Sequence, residues 1–152
     1  GRSIIYRLAN AGVVDLLTQM QEVAQDTLGE VDALVRSCLA PKDALAPVPL
    51  AEVMQRAQDG LVTIIDVRPP HEFAAAHLPG AINLPLGDLA QRLGELPAGR
   101  EVAAYCRGRY CVLSFEAVAR LRAAGIQARR IEDGIPRWMA DGRPLEGAQT
   151  RY

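Results

Sequence analysis

Residues 103–121, AAYCRGRYCVLSFEAVARL, join an apolar strand to a helix through a short loop that holds two cysteines. The apolar run ending at Cys106 favours a buried strand, and the residues after Cys111 have the apolar spacing of a helix. In sheets of parallel strands, ligands bind at the carboxyl ends of the strands, where each loop enters the next helix. Cys106 stands at that place, so the pattern indicates that its thiol carries chemistry.

The surrounding sequence repeats this alternation of strand and helix. Strands are predicted at 61–67, 81–83, 101–106 and 127–131, and helices at 50–57, 87–94, 111–124 and 134–140. The first of these strands, LVTIIDV, is nearly all apolar, which is typical of a parallel strand buried on both faces. Because strands and helices alternate, we predict an α/β fold in which helices flank both faces of a parallel sheet.

The loop after Cys106 has several features that stabilise negative charge. The helix predicted to begin near Cys111 turns its unpaired amides, and the positive end of its dipole, toward the loop. Arg107 and Arg109 add two positive charges, and Gly108 permits a turn of positive φ in which successive N–H groups point inward. Such surroundings favour the thiolate of Cys106 over its thiol.

Loop length separates the reactions open to such a thiolate. Phosphate and arsenate chemistry on a cysteine typically requires a clamping arginine at the position that Val112 occupies here. The arginines lie inside the loop instead, so the loop suits a terminal sulfur on the cysteine better than a phosphoryl or arsenyl group. A phosphatase or arsenate reductase is therefore the less favoured interpretation.

Composition argues against several other classes of protein. The 17 basic and 18 acidic residues give a net charge of −1, so no global field attracts nucleic acid or an anionic membrane. No apolar run has the length of a membrane span, and the first residues lack the pattern of a signal peptide. With three cysteines and two histidines, neither a disulfide-rich secreted scaffold nor a zinc site is indicated. We expect a cytoplasmic protein with no metal, no cofactor and no membrane partner.

A heptad pattern marks the segment before this domain. Its apolar positions step by four and three residues, at Val13, Leu17, Met20, Ala24, Thr27, Val31, Leu34 and Cys38. This spacing predicts one long helix, from Asn10 to Leu39, whose apolar stripe packs against a second copy. We therefore expect a homodimer through residues 10–39, with Cys38 as interface packing. Residues 40–48 are proline-rich and aperiodic, which indicates a linker between residues 1–39 and a domain at 49–148.

The second domain holds three motifs: IIDVRPPHEFAAAHLPGAINLPL (64–86), YCRGRYC (105–111) and EDGIPRWMADGRPLE (132–146). In this order and spacing they resemble the rhodanese family, a family of sulfurtransferases. The resemblance implies that Cys106 is the catalytic residue, takes a sulfane sulfur from a donor such as thiosulfate and becomes a persulfide. The persulfide then passes its sulfur to an acceptor, cyanide or a thiol, by double displacement.

The same resemblance implies roles for the residues around Cys106. Substrate binding falls to the loop residues Arg107, Gly108, Arg109, Tyr110 and Cys111. Asp66 and Arg68 are expected to pair with each other or with loop amides, and so to support the loop. Two readings of Cys111 remain open: a resolving thiol that pairs with Cys106 or receives its sulfur, and a small side chain packed at the first helical turn.

The chain departs from the family's usual pattern in two places. Ala76 precedes His77 where a glycine is common, and Asp133 replaces the first glycine of a pair that ends at Gly134. Neither position is expected to touch the sulfur. His77 is expected to stabilise a turn, and Trp138 to anchor the core.

The first residues, GRSIIYRLANAGVVDLLTQMQEVAQ (1–25), resemble the end of an ArsR-type winged-helix repressor, where a wing strand precedes the dimerisation helix. This resemblance implies that DNA is bound only through a winged-helix part upstream of Gly1. It also supplies an alternative function, in which the domain is the sulfur-sensing or redox-sensing module of a transcriptional regulator. Cys106 and Cys111 would then form the sensor together.

Overall fold

Four parallel strands form the centre of the protein, whose computed structural model describes residues 10–30, 33, 37 and 47–147. The strands are β1 (Val62–Asp66), β2 (Ile82–Asn83), β3 (Glu101–Tyr105) and β4 (Ala128–Arg130), in the order β2-β1-β3-β4. Asp66, the last residue of β1, lies opposite Asn83 on one side and Tyr105 on the other. The carboxyl ends of β1, β2 and β3 therefore meet at one edge of the sheet.

Helices connect the strands and precede them. They are α1 (Ala11–Thr27), α2 (Leu50–Gln58), α3 (Pro70–Ala75), α4 (Leu89–Arg92), α5 (Val112–Ala123) and α6 (Ile135–Ala140). A proline in the first turn favours the start of both α3 and α6, because its fixed φ suits a helix and its missing N–H has no intrahelical partner there. Within the part of the chain that the structure describes, no helix is long and apolar enough to cross a membrane.

The sheet separates two hydrophobic clusters. On one face, Ile64 of β1 belongs to a cluster with residues of α2 and α6, such as Val53 and Trp138. On the other face, Ile65 lies in a cluster with Val118 and other residues of α5. Successive residues of β1 thus point to opposite buried faces, as expected for a strand covered on both sides. The predicted α/β fold, a parallel sheet with helices on both faces, is confirmed.

Helix α1 ends earlier than the heptad pattern predicts. Leu28 has an extended backbone, with φ −103° and ψ 90°. Gly29 and Glu30, directly after it, are helical again, so Leu28 interrupts the helix. The prediction of one unbroken helix from Asn10 to Leu39 is therefore wrong at Leu28, whereas the homodimer stays a prediction.

One side of α1 faces the domain and another side carries exposed apolar residues. Asp15 lies 3.8 Å from Arg137 of α6, and Val14 beside it is half-buried. Met20 is 60 % exposed and Val23 62 % exposed. The apolar stripe predicted from the sequence therefore remains uncovered along much of α1 in the single chain.

Several predictions fall outside the described residues. The wing strand in residues 1–9 and the side chain of Cys38 are among them. Val48, which the sequence places in the linker, is buried and bridges Ile131 as a short parallel pair. The packed part of the second domain thus includes Val48 as well as the residues that follow it.

Candidate active site

Cys106 lies where the sequence places it, directly after β3 at the carboxyl edge of the sheet. It is 2 % exposed and belongs to the cluster that α5 covers. Its sulfur is bonded to that of Cys111 in a disulfide, with the two Cα atoms 6.2 Å apart. The two cysteines are five residues apart, and the loop between them brings their sulfurs together. Of the two roles considered for Cys111, the geometry therefore permits the one in which it pairs with Cys106.

The loop between the cysteines turns through Gly108, whose φ is +152°. The N–H of Cys111 donates to the Gly108 carbonyl at 3.0 Å, which closes the loop immediately before α5 begins at Val112. The Ser114 hydroxyl donates to the Cys111 carbonyl at 3.0 Å and holds the first turn of the helix. The positive φ predicted for Gly108 is confirmed, and the loop lies at the positive end of α5.

Both loop arginines are bound to carboxylates. The Nε of Arg107 donates to Glu72 of α3 at 3.0 Å, and its terminal nitrogen donates to the other oxygen of the same carboxylate. Arg109 donates to Glu132 at 3.0 Å. The sequence predicts two positive charges beside the sulfur, and the structure shows that both take part in ion pairs that tie the loop to its neighbours. The amino end of α5 adds a further source of positive potential beside the loop.

Gly134 packs against the backbone of the loop. A Cβ atom at this position would lie 2.6 Å from the Arg107 carbonyl carbon and 2.7 Å from the Gly108 nitrogen. Such distances leave no room for a side chain, so the loop keeps this path only while residue 134 is glycine. Gly134 also stands directly before α6, which begins at Ile135. No role beside the sulfur was predicted for Gly134 from the sequence. The close approach of the loop backbone explains why a glycine is required at this position.

Asp66 and Arg68 pair with each other at the end of β1, as predicted. The Nε of Arg68 lies 3.0 Å from both Asp66 carboxylate oxygens, and a terminal nitrogen donates to Asp66 at 2.6 Å. Burial lowers the pKa of Arg68, but the hydrogen bonds and charge of Asp66 outweigh burial and raise it overall. A terminal nitrogen of Arg68 also donates to the Ala76 carbonyl at 2.7 Å.

Glu72 connects this pair to the loop. One of its oxygens lies 3.9 Å from Arg68, and both of its oxygens accept from Arg107. The support that the sequence predicts for Asp66 and Arg68 thus reaches the loop through a carboxylate on α3. No local pattern in the sequence marks Glu72 for this role, because the contact joins segments far apart in the chain.

Tyr105, the last residue of β3, fixes the turn that follows α3. Its hydroxyl accepts the N–H of Leu78 at 3.1 Å, and the guanidinium of Arg68 lies 5.7 Å from its ring centre. Burial, and then the negative charge of Asp66, raise the pKa of Tyr105 well above its ordinary value. The hydroxyl therefore stays protonated and structural at physiological pH.

His77 and Trp138 have the structural roles that the sequence predicts. His77 stacks on Phe73 and its Nδ1 lies 2.8 Å from the Phe73 carbonyl. Its backbone exchanges hydrogen bonds of 2.8 and 2.9 Å with Glu146, which holds the turn. The Trp138 indole N–H donates to the Pro144 carbonyl at 2.6 Å, and its ring is buried in the core.

A cleft of about 470 Å³ opens beside the loop, and we call it the α1 cleft. It lies between the α1 segment from Val14 to Glu22, the loop residues 107–111 and the segment from Asp133 to Arg137. The predicted substrate-binding residues, Tyr110 among them, therefore line one wall. Sequence analysis did not predict the opposite wall, which α1 supplies. Among residues 10–30 and 47–147 there is no cluster of His, Cys, Asp and Glu side chains suited to a metal ion.

Comparison with known proteins gives relatives over the domain and over the whole chain. A protein named sulfurtransferase from Allochromatium vinosum is 33% identical over 85 residues, which are 55% of this chain and 78% of that protein. The HTH-type transcriptional regulator Rv0324 of Mycobacterium tuberculosis is 43% identical over 149 residues, 97% of this chain. The chain spans 65% of that regulator's length.

Solved structures and a family model agree on the domain. The crystal structure of a protein from Lactobacillus plantarum superimposes with a TM-score of 0.62 at 26% identity, covering 78% of this chain and 98% of that one. Residues 49–141 match the model of the rhodanese-like domain. The strand, the cysteine loop and the helix that receives it are thus those of a known fold, and the chain belongs to the rhodanese-like domain family.

Proposed function

We propose that the protein is a sulfurtransferase that carries a sulfane sulfur on Cys106. The rhodanese-like domain and the sulfurtransferase relative support a role in sulfur transfer. The observation that carries the proposal is the position of Cys106, which begins a backbone loop at the carboxyl end of β3 and at the amino end of α5. The donor is a small sulfane-sulfur compound such as thiosulfate, and the acceptor is cyanide or a thiol.

The transfer proceeds in two displacements. The Cys106 thiolate attacks the outer sulfur of thiosulfate, the sulfur–sulfur bond of thiosulfate breaks, and sulfite leaves with the bonding electrons. Cyanide then attacks the outer sulfur of the persulfide, so that thiocyanate leaves and the Cys106 thiolate returns. The amino end of α5, directly after the loop, stabilises the negative charge of the persulfide. A sulfur already bonded to Cys111 cannot attack, so the disulfide is reduced before the first turnover.

Thiocyanate formation by the reduced protein tests this proposal. We expect steady turnover with thiosulfate and excess cyanide, and none above the uncatalysed reaction for Cys106→Ser. Cys111→Ser is the matched control, because it removes the neighbouring thiol and leaves the nucleophile. Equal turnover by Cys106→Ser and the native chain would exclude Cys106 as the carrier.

A second candidate function is sulfur or redox sensing by Cys106 and Cys111. The disulfide between them favours it, as does similarity to a transcriptional regulator that extends over α1 as well as the domain. In this proposal the chain is the carboxyl part of an ArsR-type regulator in the cytoplasm. It forms a homodimer through residues 10–39 and contacts DNA only through an upstream winged-helix part.

Two contacts connect the loop with α1 by way of α6 and support the sensing proposal. Gly134 touches the loop backbone at Arg107 and stands before α6, and Arg137 of α6 pairs with Asp15 of α1.

The two functions share the first chemical step and differ in what removes the sulfur. With excess cyanide, a transferase turns over many times. A sensor instead stops after one sulfur, with the Cys106–Cys111 disulfide formed and sulfide released.

A further inference from the structure

The two sulfurs of the disulfide differ in their access to the α1 cleft. Cys106 is 2 % exposed and packs in the cluster beneath α5. Cys111 is half-buried and is one of the residues that line the cleft, whereas Cys106 is not among the described residues that do so. A molecule bound in the cleft therefore meets the sulfur of Cys111 first.

We propose that the α1 cleft binds a peptide-like thiol, which reduces the disulfide by attack on the sulfur of Cys111. This inference rests on the proposed sensing function, because it requires the Cys106–Cys111 disulfide. The thiolate of the bound molecule forms a bond to the Cys111 sulfur, and the bond between the two cysteines breaks. Its electron pair leaves on Cys106, which becomes a thiolate. A second thiol then releases Cys111 as a thiolate and forms the disulfide of the small thiol.

The requirements of thiol–disulfide exchange favour attack on the sulfur of Cys111, with Cys106 as the leaving group. Exchange depends on which sulfur is accessible and on how well the leaving sulfur carries negative charge. While the disulfide is intact, Cys106 is buried and is not reached from the cleft, and as a leaving group it lies at the end of β3, before the amino end of α5. The step thus frees the sulfur that accepts sulfane sulfur in the proposed transferase reaction.

The chemistry of the cleft walls selects the class of thiol. Its volume of about 470 Å³ lies within the range of small-molecule sites, roughly 300–1,000 Å³, and exceeds what thiosulfate or cyanide needs. Carboxylates of Glu22 and Asp133 line the same space as the apolar Leu17, together with Arg137, whose guanidinium already pairs with Asp15 and Asp141. A thiol with ammonium and amide groups on a peptide-sized frame complements the two carboxylates and suits the volume of the cleft. A small neutral thiol does neither.

Trapping of the mixed disulfide tests which sulfur is attacked. The full chain is oxidised, mixed with a limiting amount of glutathione as the probe, quenched with acid and mapped by mass spectrometry of its peptides. We expect glutathione on Cys111 and a free thiol at Cys106. Glutathione on Cys106 with Cys111 free would overturn the proposal.

Reduction kinetics test the cleft itself. We expect the rate to saturate with glutathione and to rise linearly with 2-mercaptoethanol. Gln21→Ala removes a polar side chain from the α1 wall, so the half-saturating glutathione concentration should rise about three- to tenfold, the usual effect of one lost hydrogen bond. The 2-mercaptoethanol rate should stay unchanged.

Gln19→Ala is the matched control, since Gln19 is an exposed glutamine of α1 outside the cleft lining. Equal effects of the Gln21 and Gln19 variants, or a reduction rate that rises linearly with glutathione, would contradict binding of the thiol in the α1 cleft. Failure of the sensing proposal gives a different result, because oxidation then leaves no disulfide for either thiol to reduce.

Discussion

At the scale of single residues, the environment of Cys106 depends on backbone geometry more than on nearby side-chain charge. Arg107 and Arg109 are both bound to carboxylates, so their charges are largely shared. Gly108 turns the loop at positive φ, and Gly134 leaves the space through which it passes. The loop backbone holds its path because of these two glycines, and we expect the proposed persulfide to depend on both.

Substitution of Gly134 should damage the site more than the fold. In Gly134→Ala the new Cβ would lie 2.6 Å from the Arg107 carbonyl carbon, so the loop must move. We expect the kcat/KM of thiocyanate formation to fall more than about tenfold, or roughly 1.4 kcal/mol of transition-state stabilisation. Gly94→Ala is the control, because nothing lies within 4 Å of the Cβ it would add. A normal rate for Gly134→Ala would show that the loop geometry is not required.

The buried pair of Asp66 and Arg68 gives a prediction for stability. Asp66 is 0 % exposed, so Arg68→Met leaves its carboxylate without its guanidinium partner in the interior. We expect the free energy of unfolding in urea to fall by about 3–5 kcal/mol. The double variant Asp66→Asn with Arg68→Met removes both charges and should recover part of that loss. If the double variant is as unstable as Arg68→Met, the cost does not come from the unpaired carboxylate.

The reactive residues were more predictable from sequence than the residues that position them. Cys106 and Gly108 stand out because a strand end, a glycine and a helix start are local patterns. Glu72 and Gly134 contact the loop from elsewhere in the chain, and no local pattern marks such contacts. Their importance appears only when the distances are measured.

At the scale of elements, α1 forms part of two surfaces, a wall of the α1 cleft and an exposed apolar stripe. One side lines the α1 cleft and pairs with α6 through Asp15 and Arg137. Leu16 is 59 % exposed and Met20 60 % exposed on the described helix. Apolar side chains so exposed along one helix favour burial against a second copy, and the proposed homodimer uses this stripe.

Charges placed in the stripe should separate the dimer. For the double variant Leu16→Glu with Met20→Glu, we expect a monomer mass by light scattering at micromolar concentration, and a dimer mass for the native chain. The rate of thiocyanate formation should not change, since neither side chain lines the cleft. A monomer mass for the native chain at the same concentration would contradict the proposed dimer.

Strands were predicted correctly from the sequence where burial requires mostly apolar residues. Strands β1 and β3 are mostly apolar and, apart from the half-buried Glu101, fully buried, and both fall within their predicted ranges. The end of α1 was missed because the heptad spacing continues through Leu28, whereas the backbone there is extended. Spacing shows which side chains share a face, and it does not show a break in the backbone such as the one at Leu28.

At the scale of the whole molecule, the active-site surface is shared between the two parts of the chain. The rhodanese-like domain supplies the sulfur and the loop, and α1 supplies the facing wall of the cleft. The sequence predicted each part and a linker between them, but not that α1 lies over the loop, because packing between distant segments leaves no periodic signal. This arrangement places α1 against the candidate active site, and the proposed sensing function depends on that contact.

The mass of the reduced, intact chain after incubation with thiosulfate tests the central claim most directly. We expect a gain of one sulfur that requires Cys106, persists in Cys111→Ser and disappears when cyanide is added. No gain in the native chain, or an equal gain in Cys106→Ser, would contradict sulfur transfer through Cys106.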